Sequence, residues 1–157
     1  MVILRVDDRF IHGQVIAGWV RPLGIEIIIL ASDRIYQDEW ACNAYRLAIP
    51  DGIEFSCTSI EKCLGLVKKT NKKNLMIVVE SVKEASQLVK QGLVVKDVNI
   101  GGISYREGSR EVATYIHLSA EDIESVVYLH KLGIKVSGRQ LPNSAAVDVV
   151  KNLAGVK

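Results

Sequence analysis

Short β-branched runs that alternate with longer helical patterns predict an α/β protein, an open and mainly parallel seven-strand sheet with helices on both faces. Two observations carry that prediction. The run 25–31 is apolar nearly throughout, as a strand covered on both sides must be. The segments between strand candidates open on Ser or Asp and several close on Gly, the start and stop signals of helices. Residues 2–6 are the first strand. The helix pattern 13–21 follows, with Val15, Ile16, Trp19 and Val20 in an i, i+1, i+4, i+5 stripe. Strand 25–31 leads to helix 33–47, with Ser32 or Asp33 as N-cap. Strand 53–57 leads to helix 59–69, and strand 75–79 to helix 81–90. That last helix has Ser81 as cap, Glu84 three residues on as in a capping box, and Gly92 as its stop. Strands 98–101 and 115–118 precede helix 119–132, which repeats the pattern with Ser119, Asp122 and Gly133. Strand 134–137 and helix 144–153 close the chain.

At 157 residues the chain reads as a single domain spanning 1–157, large enough to bury its own core. Composition, 48% hydrophobic and 24% charged, excludes disorder, and 12 Gly with 3 Pro exclude collagen-like sequence. A net charge of +2 is too balanced for a basic nucleic-acid surface. Ile27–Ala31 is apolar but ends at Ser32, far short of the ~20 residues of a bilayer span. Met1 to Arg5 runs apolar first and charged after, the reverse of a secretory signal. Cys42, Cys57 and Cys63 form no CxxC, and their odd number suggests reduced thiols in a cytoplasmic protein. Any work at a membrane then needs a membrane partner. No linker or repeat interrupts the chain.

Sheets of this class bind ligands beyond the carboxyl ends of their strands, which directs attention to the loops there. The first loop is the densest polar segment of the chain. Asp7, Asp8, Arg9 and His12 lie within six residues, followed by Gly13 and Gln14 at a helix start. Backbone N–H groups of Gly13 and Gln14 are unpaired donors in that position and favour an anion. Arg9 offers a planar fork to phosphate oxygens. A neutral imidazole attacks phosphoryl groups, so the set suits a phosphohistidine at His12. One of the acids, Asp8 ahead of Asp7, is a candidate to orient the ring or Arg9; the sequence does not say which. The plainer reading is a loop with a cap and a solvated histidine. No second His or Cys lies nearby to complete a metal site.

From Arg5 to Val15, with Trp19 beyond, the chain resembles the phosphorylation loop of IIB components. These belong to the mannose–fructose–sorbose branch of the phosphoenolpyruvate-dependent sugar phosphotransferase system. The likeness extends to Asp33 after strand two, the turn 48–53, Asn99-Ile100-Gly101-Gly102, Leu132-Gly133-Ile134 and Leu141-Pro142. Phe10 stands where a leucine is more usual. The resemblance implies the same seven-strand fold and makes His12 the phosphoacceptor, through Nδ1, with Arg9 stabilising the phosphate. The implied donor is a IIA phosphohistidine. The implied acceptor is a sugar bound by IIC/IID membrane subunits, which would hold the protein at the inner face of the membrane. No cofactor, metal or nucleic acid is implied. A carrier that meets two partners is expected to expose the rim of His12, with Phe10 or Ile11 available for docking.

Other residues have structural readings. Gly101-Gly102 suits a tight turn, and Asp33 and Ser81 suit helix caps. His117 and His130 suit structural or solvated positions. Lys68, Lys69, Lys72 and Lys73 suit a solvated helix end. Cys57 and Cys63 suit buried thiols. A receiver-type signalling domain needs an aspartate after strand three, where this chain has Cys57-Thr58-Ser59. A nucleotide-binding domain needs a glycine-rich first loop, which is absent. The sequence leaves open the sugar, the oligomeric state (a homo-oligomer included), the roles of Asp7 and Asp8, and whether Asn99, Gly101 and Asp33 line the site.

Overall fold

The computed structural model describes residues 1–71 and 73–154. The strands are β1 (Val2–Asp7), β2 (Ile27–Ala31), β3 (Glu54–Thr58), β4 (Leu75–Val79), β5 (Asp97–Gly102), β6 (Arg110–Ala113), β7 (Ile116–Leu118), β8 (Lys135–Gly138) and β9 (Val147–Asp148). The helices are α1 (Gly13–Val15, continued by a π-helical turn Ile16–Val20), α2 (Asp33–Tyr36), α3 (Glu39–Leu47), α4 (Ile60–Lys68), α5 (Val82–Lys90), α6 (Ala120–Lys131) and α7 (Val149–Ala154). The seven-strand sheet has the order β3-β2-β4-β1-β5-β8-β9 and is parallel except for the β8–β9 pair. The predicted open, mainly parallel architecture is therefore what the chain forms.

Alternation along the strands builds two cores. Leu4, Val6, Ile27, Ile29, Ile77 and Val79 face one side, where they pack with Ile60, Ala85, Leu88 and Leu129. Ile28, Leu30, Met76 and Val78 face the other, under Phe10, Val15, Trp19 and Ile35. The chain leaves β1 toward β2, whereas neighbouring β5 continues to β8 on the opposite side. The carboxyl end of β1 thus lies where the strand order reverses, the place such sheets put their ligands.

Several elements differ from the sequence reading. Residues 115–118 do not supply a sheet strand. Ile116–Leu118 pairs antiparallel with Arg110–Ala113 as a separate hairpin, joined to the sheet by an Ile103–Ile116 bridge and by Ile116 and Leu118 in the core. The seventh sheet strand is Val147–Asp148, inside the stretch read as helix 144–153. Asp148 Oδ1 accepts the Lys151 N–H (3.0 Å), so the helix begins only after it. The helix read over 33–47 breaks in two, because Asp38 accepts the Ala41 N–H (3.1 Å) and starts α3 afresh. Gly101 and Gly102 form no turn; both lie in β5. Cys42 and Cys57 pair as a disulfide with Cα atoms 6.1 Å apart, instead of remaining thiols. Cys63 is free and buried, and burial pushes its thiol up to about 12, which leaves it inert. Lys73 pairs with Glu54 (2.6 Å), Lys68 and Lys69 are exposed, and Lys72 lies outside the described residues.

The Ser119–Asp122 capping box of α6 is complete. In α5 only half of it forms. Ser81 Oγ accepts the Glu84 N–H, but Glu84 Oε2 accepts from Glu80 N (2.8 Å). Burial pushes the Glu84 carboxyl up to about 7. Its folded value lies above its unfolded one, so its contribution to stability is full in acid and is lost as pH rises through about 7. Glu84→Gln keeps the acceptor and removes the charge. In urea unfolding the variant is expected to gain ~1 kcal/mol over the native chain at pH 8.5, solvent screening included, and nothing at pH 4.

Candidate active site in the loop after the first strand

Asp7 ends β1 at an irregularity in the β1–β5 register, where Val6 faces Ile100 and Asp7 faces Gly102. Its carboxylate is fully buried and is the hub of the loop. Oδ1 accepts the Arg9 N–H (3.0 Å), with Arg9 Nε at 3.6 Å. Oδ2 accepts from Arg5 Nη2 (3.2 Å) and lies 2.9 Å from His12 Nε2. The Asp7 carbonyl accepts the Phe10 N–H (3.0 Å), which closes a turn. Phe10 sits at φ 58°, a conformation that costs a non-glycine residue ~1–2 kcal/mol. Its buried ring, edge-on to Tyr45 at 5.7 Å, offsets that cost.

His12 stands in extended conformation just before α1, its carbonyl accepting from Val15 and Ile16. The Gly13 and Gln14 N–H groups open that helical turn. The imidazole is 21% exposed and the Arg9 side chain 54%. Among the described residues no hydrogen bond reaches His12 Nδ1. Phe10 and Ile11 are buried, so neither is available for docking; the exposed rim is Arg9, Gly13 and Ala17. Apolar side chains of this loop anchor it on the sheet, and one charged residue and two small ones remain outside.

The structure brings Asp7, not Asp8, to His12. Neighbouring residues at a strand end point to opposite sides, and Asp8 Oδ2 instead accepts the Ser104 N–H (2.8 Å). Ser32, not Asp33, caps α2; Asp33 instead accepts the Ile60 N–H (2.9 Å) at the start of α4, whose own N-cap is Ser59, and Ser81 caps α5. His117 Nδ1 lies 3.2 Å from the Ile103 carbonyl in the hairpin, and His130 is exposed. Among the described residues no three His, Cys, Asp or Glu side chains converge on a cation site.

Sequence reasoning missed Arg5. Its guanidinium is wholly buried beneath the loop, bonded through Nη1 to Asn99 Oδ1 (2.7 Å) on adjacent β5. It lies 4.8 Å from the Trp19 ring centre, and Trp19 Nε1–H donates to the Gln140 carbonyl (2.7 Å). Burial pulls the Arg5 guanidinium below its ordinary value, and the Asp7 charge pulls it back. Gly101 has no side chain because that space holds the Arg5 guanidinium. The available signal was a charge inside an apolar strand, since a buried arginine always needs a partner.

A sequence profile described as "PTS system sorbose subfamily IIB component" matches residues 1–156. The chain belongs to that family. As a IIB component it is a phosphoryl carrier of the sugar phosphotransferase system and a sugar phosphotransferase, and its family implies IIA and IIC/IID partners. The fructose-specific EIIB component of Bacillus subtilis (strain 168) is 30% identical over 158 residues, covering 99% of this chain and 97% of that protein. The mannose-specific EIIAB component of Escherichia coli (strain K12) is 25% identical over 154 residues, covering 95% of this chain and 48% of that protein. The crystal structure of the IIBSor domain of the sorbose permease from Klebsiella pneumoniae matches with a TM-score of 0.93 at 26% identity, over 100% of this chain and 98% of that one. Among the described residues of this IIB component no helix is long and apolar enough to cross a membrane.

Proposed function

We propose that His12 is the phosphoacceptor of this IIB component and that Nδ1 carries the phosphoryl group. The observation that supports it is the Asp7 Oδ2–His12 Nε2 contact of 2.9 Å. A carboxylate only accepts, so the ring donates Nε2–H, and the neutral imidazole then has its lone pair on Nδ1. The Nδ1 lone pair forms a bond to phosphorus as the N–P bond of a IIA phosphohistidine breaks, its electron pair returning to the donor ring. In the second step a sugar hydroxyl oxygen bonds to phosphorus, the His12 N–P bond breaks, and the hydroxyl proton leaves to a base on the acceptor side. Arg9 and the Gly13 and Gln14 N–H groups stabilise the equatorial oxygens. Asp7 balances the charge that develops on the ring.

The donor is a IIA domain or subunit. The acceptor is a sugar held by IIC/IID subunits at the cytoplasmic face of the membrane, with residues 1–157 working as one domain. The relatives are named for fructose, mannose and sorbose. Mixing the protein with phosphorylated IIA and measuring intact mass tests this reading. An added phosphate that is labile in acid, stable in base and mapped to the His12 peptide is expected; a phosphate on any other residue overturns it. Arg9→Ala is expected to slow transfer about 10²-fold in rapid-quench kinetics while the thermal midpoint stays within a few degrees. Unchanged transfer removes Arg9 from the phosphate site.

A further inference from the structure

We propose that Arg5 is the positioning residue that holds His12 in its nucleophilic tautomer, acting through Asp7. The proposal rests on the reading of His12 as phosphoacceptor only for its kinetic consequence; its effect on the ring stands alone. A buried guanidinium is an expensive group, and the fold spends four separate features on it. Asn99 accepts from Nη1, the Trp19 ring lies against it, Gly101 leaves it room, and Asp7 takes Nη2. Its Nε, also buried, has no hydrogen-bond partner among the described residues. The Asp7 carboxylate joins this interior assembly to the loop, where it reaches His12.

The physical link is a count of protons. The charged and titratable groups facing the Asp7–His12 pair are Arg5 and Arg9 from β1 and its loop and Tyr45 of α3, with Tyr115 of the hairpin coupled to Arg5. Arg9 is more than half exposed, so water screens its charge; Arg5 is the buried one. With Arg5 present the pair holds one proton, on Nε2, and Nδ1 is bare. Without it the buried carboxylate loses its interior counter-charge and the pair takes up one proton from solvent. That proton rests on the carboxyl, which then donates to Nε2 and leaves the ring hydrogen on Nδ1, or it makes an imidazolium. Nδ1 carries a proton either way, and no lone pair is left to attack phosphorus.

The test uses unphosphorylated protein with ¹⁵N-labelled histidine, its His12 signals assigned by their loss in His12→Gln. Native protein at neutral pH is expected to show a proton on Nε2 and none on Nδ1. Folded Arg5→Met is expected to show Nδ1 protonated, and Arg5→Lys, which restores the charge without the fork, to show it bare again. In transfer from phosphorylated IIA, Arg5→Met is expected to lose on the order of 10²-fold at neutral pH and to regain rate as pH is raised. A bare Nδ1 in folded Arg5→Met, or a rate loss equal at every pH, overturns the proposal. A native spectrum with the proton on Nδ1 overturns it whether or not any variant folds. Failure of the phosphoacceptor reading is seen separately, as phosphate mapped elsewhere.

Discussion

His12→Ala protein is expected to remain folded and to take up no phosphate from phosphorylated IIA, by intact mass, at any donor concentration. The loss is complete because the imidazole supplies the bond-forming electron pair, and no other nucleophile stands in the loop. The nearest alternatives are carboxylates already engaged: Asp7 with two arginines, and Asp8 with the Ser104 N–H. Folding survives because His12 is a partly exposed residue at a helix start. Removing it takes one hydrogen bond from Asp7 and leaves the bonds from Arg5 Nη2 and Arg9 N–H in place. That costs about 1 kcal/mol in urea unfolding. A His12→Ala chain that still gains an acid-labile phosphate moves the acceptor elsewhere in the molecule.

Gly101→Ala is expected to cost on the order of 3–5 kcal/mol in urea unfolding, while Gly102→Ala costs less than about 1 kcal/mol. The two glycines are adjacent in one strand, and neither needs a left-handed backbone. They differ in what a methyl group meets. At position 101 it would overlap the Arg5 guanidinium, which is enclosed by Asn99, Trp19 and Asp7 and has nowhere to go. Displacing it leaves a buried cation and a buried carboxylate each without its partner. At position 102 the nearest atom is Nη2 of Arg9, 3.6 Å away at the far end of an exposed side chain. Equal costs at the two positions mean that Arg5 is free to relocate.

Where local physics decides a segment, the sequence was enough. The fully apolar strands, the Ser119–Asp122 box and the Ser59 and Ser81 caps are fixed by groups within a few residues of one another. Where a distant partner decides, it was not. Ile116–Leu118 has the alternation of a strand but not its place in the sheet, since pairing with Arg110–Ala113 satisfies it nearby. Val147–Asp148 is too short to stand out from the apolar positions of the helix that follows. Asp38 was hidden within one long helical pattern, although its residue type is a common cap.

The linear order of Asp7, Asp8, Arg9, His12, Gly13 and Gln14 by itself determined where the candidate site of this IIB component lies, because a polar run between an apolar strand and an apolar helix has only the carboxyl end of the sheet to occupy. Which acid serves the imidazole was decided by the direction of the last residue of β1, and a strand turns neighbouring side chains to opposite sides. The interior support beneath it was decided by register, which sets Arg5 of β1 opposite Asn99 of β5, ninety-four positions away in the chain. Local propensity carries no record of such a pairing; only the packed sheet, by excluding water from a charged arginine, forces the partners together.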